Sequence, residues 1–162
     1  LDAKCLLGIH YFQAEDNDAS RKLGGKFDSK ISPQEYQQRV IDGLIKGIDC
    51  SGLVWYLFGR QGIELSYKNA LSGSQSLYAN SENIPEQVIH IGDLVFKKKL
   101  EHICHVGIIT QVGETPMVTE AEGWFGKVVQ RPLDEFKNVK SSKASQYAGI
   151  KRLIRESVSV IA

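Results

Sequence analysis

A change of period partway along the chain limits its fold more than any other feature of the sequence. From residue 93 onward, short runs rich in β-branched residues follow one another at residues 93–96, 105–111, 117–121, 127–130 and 147–154. Turn residues, including Gly113, Gly123 and Pro132, separate them. Earlier in the chain the period is helical. Ser32 as N-cap, Pro33 in the first turn and Glu35 three residues on form a capping box. Tyr36, Val40, Ile41, Leu44 and Ile45 then recur at helical spacing, so one face of this helix is expected on a core until Gly43 or Gly47 ends it. Residues 51–58 differ: Leu53, Val54, Trp55, Tyr56, Leu57 and Phe58 leave no polar face, which predicts a helix buried nearly all round and closed by Gly59 and Gly62. Residues 69–78 form a third helix candidate with Asn69 as cap. Residues 1–31 read as an irregular entry segment. Helices first, then sequential strands without helical crossovers, predict an α+β fold: an antiparallel sheet of about five strands with helices on one side.

The chain of 162 residues is expected to form one domain, residues 1–162. At this length folding buries roughly 70% of the unfolded surface, enough for a core without metal or disulfide staples. With 20 Lys+Arg against 19 Asp+Glu the net charge is +1, which offers no basic field for nucleic acid. The apolar run at residues 53–58 falls far short of the roughly 20 residues that cross a bilayer. Because Leu1 opens the chain and Met117 is its single methionine, a processed product or a piece excised from a longer protein is expected. A monomer is the simplest expectation.

Three cysteines, Cys5, Cys50 and Cys104, cannot all pair with one another. Cys50 has the suggestive neighbours. It opens the buried helix, where unpaired backbone N–H groups and the positive end of the helix dipole favour a thiolate and hold a developing oxyanion. Ser51 and Gly52 are small enough to let a substrate approach. A thiol nucleophile needs a base, and His105 opens a strand that would hold an imidazole rigidly. Without that partner, Cys50 reads equally well as filler in a core helix. Cys5 and Cys104 are assigned structural roles. A zinc site from His102, Cys104 and His105 is disfavoured, because strand alternation sends the first two to one face and the third to the other. The run Lys97, Lys98 and Lys99 reads as a solvated loop between strands.

Three segments in order, Asp49-Cys50-Ser51-Gly52-Leu53-Val54, then Gly92-Asp93-Leu94-Val95-Phe96, then His105-Val106-Gly107-Ile108, closely resemble the NlpC/p60 family of bacterial cell-wall cysteine endopeptidases. The likeness spans about residues 20–154. It implies a reduced papain-like fold, with the cysteine helix packed on an antiparallel sheet that carries the histidine. It also implies hydrolysis of peptidoglycan stem peptides at the bond following D-glutamate, without cofactor or metal, outside the membrane, by a secreted enzyme or a phage or mobile-element machine. In that family a third polar residue, often histidine, orients the imidazole from the next strand. Here Glu120, followed by Ala121, takes that position, with Glu122 on the same face and Thr119 adjacent. Asp49, Ser51 and Trp124 are expected to shape the substrate site, and Phe125 beside Trp124 is a further groove candidate.

Two departures from the family pattern stand out. Where a tyrosine usually precedes a Gly-Gly pair, Arg21 stands before Gly24 and Gly25, leaving Tyr11 or Tyr36 as substitutes. The segment between Gly25 and Asp49 also looks longer than usual. An amidase or acyltransferase on the same scaffold, or an inactive wall-binding module, are the alternative readings.

Overall fold

The structure, a computed structural model, describes residues 32–42, 49–65, 73–122, 127–138, 145–154 and 158–160. The expectations for Cys5, Tyr11, Arg21, the Gly24-Gly25 pair, Asn69, Trp124 and Phe125 fall outside them, as does the side chain of Tyr36.

Helix α1, Pro33–Ile41, begins as its sequence predicts: Ser32 Oγ accepts the Glu35 N–H at 3.1 Å. The Glu35 carboxylate turns forward to Arg39, at 2.9 Å, instead of closing the capping box. Ile41, expected on a core-facing stripe, is 71% exposed. It ends a helix that makes no extended contact with the sheet among the described residues.

Helix α2, Cys50–Arg60, is the buried helix. Its N-cap, Asp49, accepts the Gly52 N–H at 2.8 Å through its carboxylate, while its carbonyl takes the Leu53 N–H at 3.0 Å. Leu53, Val54, Tyr56 and Leu57 are buried. The helix runs on through Gly59, and Gly62, at φ +74°, turns the chain into strand β1, Ile63–Leu65. Helix α3, Ser74–Ala79, starts after Gly73, later than the position expected for its cap.

The remaining strands are β2, Ser81–Asn83; β3, Leu94–Lys99; β4, His102–Gln111; β5, Met117–Glu122; β6, Lys127–Pro132; β7, Gln146–Leu153; and β8, Val158–Val160. A short helix, α4, Leu133–Asn138, lies between β6 and β7. The main sheet has six strands in the order β2-β7-β3-β4-β5-β6, all pairs antiparallel, and β1 pairs with β8 separately. The five expected strands are all present. The sixth, β2, is a polar Ser81-Glu82-Asn83 segment with no apolar alternation to announce it.

Helices cover both sides of this sheet rather than one. Leu94, Phe96, Val106, Ile108, Ala121 and Val128 pack with Leu53, Val54, Tyr56 and Leu57 of α2. Val95, Ile109, Val118 and Ile150, from the alternate positions, pack with Leu133 and Phe136 of α4. The loop after β6 therefore carries the lid of a second apolar layer. Gly107 marks how closely that layer is packed: a Cβ there would lie 2.6 Å from Val118 Cγ1 and 3.2 Å from Val95 Cγ2.

Asp93, from the second motif, is a structural anchor. It is 2% exposed, its carboxylate accepts Nε and Nη2 of Arg152 at 2.7 and 2.9 Å, and it also accepts the His90 N–H. The entry to β3 is thereby fixed to β7.

Candidate active site

Cys50 is the first residue of α2 and is half-buried. Because Asp49 engages the N–H groups of Gly52 and Leu53, those of Cys50 and Ser51 head the helix. Ser51 is buried, with Oγ 3.5 Å from Asp49 Oδ1, so both flanking residues shape the helix start.

His105 sits near the beginning of β4, directly across the ladder from Lys97. The β3–β4 register slips beside it. Lys97 faces His105 and Lys98 faces Ile103, so Cys104 is an extra residue in a bulge. The bulge leaves Cys104 exposed, with Sγ 3.7 Å from the Lys97 carbonyl oxygen, while His105 is buried. Burial of part of the Cys104 side chain pushes its thiol pKa up, which fits an inert group. His102 is exposed as well, so the three residues weighed for zinc do not converge.

The imidazole lies within interaction range of the Cys50 thiol and of the Glu120 carboxyl. Its Nε2 lies 3.3 Å from Glu122 Oε2 and 3.6 Å from Glu120 Oε1. Neither approach meets both the distance and the angle of a hydrogen bond. Burial alone would lower the His105 pKa, but the contacts and charges of Cys50 and Glu120 outweigh it and raise it from 6.5 to about 10. The Phe136 ring stacks on the imidazole, centroids 6.0 Å apart and planes 26° from parallel.

Glu120 is fully buried. Burial would raise its pKa, yet His105 and Arg131 hold the carboxyl below its ordinary range. Arg131, on β6 and 4% exposed, donates Nη2 to Oε1 at 2.9 Å and Nε to Oε2 at 3.3 Å. Thr119, the other neighbour weighed in the sequence, points away to Thr110, with the two hydroxyl oxygens 2.8 Å apart.

Lys97 corrects a sequence expectation. It belongs to β3 and is 1% exposed, because it shares the inward alternation of Val95. Its ammonium lies 4.6 Å from the Phe136 centroid, within electrostatic reach of Glu120 and Glu122, and burial lowers its pKa. Arg131, Lys97 and Phe136 were not legible as site residues in the sequence. The usable signal was parity: residues 95 and 97 on β3, and 118, 120 and 122 on β5, fall on one face.

His105, Glu120 and Glu122 together have the donor types of a metal site, their nearest atoms lying within 4.8 Å of one another. The guanidinium of Arg131 and the ammonium of Lys97 already supply positive charge against these carboxylates. The arrangement suits a charged imidazole better than a cation.

A profile of the NlpC/P60 family matches residues 24–143. Over 66 residues the chain is 41% identical to a protein named probable endopeptidase p60 from Listeria grayi. That stretch is 41% of this chain and spans only 12% of the relative's length. The family match runs from before α1 to beyond α4, through the cysteine helix and the strand that carries His105. On the extent of that match, the chain belongs to the NlpC/P60 family.

Proposed function

We propose that this chain, by family a cell-wall peptidase, is a cysteine endopeptidase that cuts peptidoglycan stem peptides at the bond following D-glutamate. The observation that carries this reading is the thiol of Cys50 at a helix N-terminus, within interaction range of an imidazole whose Nε2 faces Glu120 and Glu122. His105 takes the thiol proton, and Cys50 Sγ attacks the carbonyl carbon. The N–H groups of Cys50 and Ser51 hold the oxyanion. His105 then gives the proton to the departing amine, leaving a thioester. Water, deprotonated by His105, hydrolyses the thioester to the free carboxylate and restores the thiol. Glu120 orients the imidazole, while Asp49 and Ser51 set the geometry of the helix start. No cofactor enters this sequence of steps.

The substrate implies work outside the membrane, as a secreted enzyme or within a phage or mobile-element machine. No helix among the described residues is long and apolar enough to cross a membrane.

The test is mass spectrometry of defined muropeptides incubated with the reduced protein and with Cys50→Ala. Fragments split after D-glutamate by the wild type alone are expected. Release of whole stems from the sugar would instead assign an amidase, and a mass adduct a transferase. Wall binding without turnover, unchanged in Cys50→Ala, would replace the enzyme with a binding module.

A further inference from the structure

We infer that Arg131 is a positioning residue for the Cys50–His105 pair, acting through Glu120, so that the third place of the triad is held by a buried ion pair rather than a lone carboxylate. The inference rests on the cysteine peptidase mechanism proposed above.

Two contacts converge on the imidazole from Arg131. Its guanidinium takes both oxygens of Glu120, and Oε1 is the oxygen that lies 3.6 Å from His105 Nε2. The same guanidinium lies 5.4 Å from the centroid of Phe136, the ring stacked on the face of His105. The edge and the face of the imidazole are thus both backed by groups that Arg131 touches. A two-point grip on a planar carboxylate leaves it little freedom to rotate, which a single ammonium would not achieve.

The electrostatic consequence follows from the other charged groups around His105. Cys50 faces it from α2, Glu120 and Glu122 from β5, and Lys97 from β3. Cys104 precedes it on β4, and Tyr147 of β7 lies edge-on to Phe136, 6.4 Å between centroids. Two carboxylates beside a buried imidazole would hold its proton tightly. Arg131 offsets part of that field at Glu120, and keeps the proton transferable to a leaving amine.

The experiment is a ¹³C NMR titration of the His105 ring, which needs no muropeptide, together with the pH profile of kcat/KM on the cleaved muropeptide. Arg131→Met should move the His105 midpoint and the alkaline limb up by about one pH unit. Arg131→Lys, which keeps charge but loses the fork, should leave the midpoint near that of the wild type and lower kcat several-fold. In a Glu120→Gln background, adding Arg131→Met should produce no further upward shift. This pair of variants also covers the case in which Arg131→Met alone does not fold, since it removes both charges together. Profiles that superimpose on the wild type, with only a lower Tm, would reduce Arg131 to a structural residue. A shift that persists without Glu120 would overturn the route through that carboxylate. If no muropeptide is cleaved but the NMR midpoint moves as stated, the positioning role stands while the endopeptidase assignment falls.

Discussion

One carboxylate oxygen, Glu120 Oε1, lies 2.9 Å from Arg131 Nη2 and 3.6 Å from His105 Nε2, so a single buried atom is shared by a fixed cation and an imidazole. Glu122 Oε2 approaches the same nitrogen more closely, at 3.3 Å, but its side chain is 12% exposed whereas that of Glu120 is fully buried. Orientation favours the carboxylate that is clamped. Glu120→Gln should therefore lower kcat by about tenfold, equivalent to roughly 1.4 kcal/mol of lost charge stabilisation and orientation of the imidazolium, and Glu122→Gln by less. Steady-state kinetics of the two variants decide it, and a larger loss in Glu122→Gln would transfer the orienting role to that residue.

Gly107 has no room for a side chain. Gly107→Ala would drive a methyl to 2.6 Å from Val118 Cγ1 and 3.4 Å from Phe136 Cε2. Overpacking of this kind costs about 1–3 kcal/mol. For a domain of this size that corresponds to a Tm lower by roughly 2–4 °C for each kcal/mol. Because Phe136 backs His105, activity should fall with stability, and Val118→Ala in the same chain should restore part of both. An unchanged Tm in Gly107→Ala would contradict the packing.

Stability should depend on pH through His105. Its folded pKa is raised from 6.5 to about 10 despite burial, so its favourable contribution is complete below about 6.5 and is lost as pH rises toward about 10. Thermal melts across that window should show a decline in the wild type that is smaller in His105→Gln. Other groups titrate there too, so the comparison rests on the difference between the two proteins. Parallel declines would mean that the imidazole gains no such protection on folding.

The β3–β4 hairpin carries a local strain. Its two-residue tip begins at Leu100, with φ +55° and 82% of its surface exposed. An L residue in the left-handed region costs roughly 1–2 kcal/mol. Leu100→Gly should raise stability by about 1 kcal/mol or less, since glycine also gains freedom in the unfolded chain. Denaturant unfolding reads this directly, and a destabilised variant would show that Leu100 makes a contact worth more than its strain.

The parts of the fold readable from sequence were those where one physical signal dominated. Cys50 and His105 could be singled out because one heads an apolar helix and the other opens a β-branched run. Charge misled where strand parity should have been applied: Lys97 sits in a run of three lysines, but as the neighbour of Val95 but one it points inward. Arg131 gave no local sign, because its partner Glu120 is on another strand and their pairing depends on sheet order. Helix α4 was missed for a similar reason. Residues 133–138 are mixed in character, and only the cover they provide over Val95, Ile109 and Val118 makes a helix there worthwhile.

Both neighbours of β3 change register at Lys97: Cys104 is the extra residue on β4, and Ala148, next to Gly149 at φ +108°, is the extra residue on β7. Such slips bend the strands and sharpen their twist locally. The hairpin tip at Leu100 and Glu101 is exposed and lies on the far side of the β4 slip from His105, the kind of surface tip that tolerates changes in length. That makes the tip the natural place to attach a fluorophore or graft a binding loop onto this domain while leaving its chemistry in register.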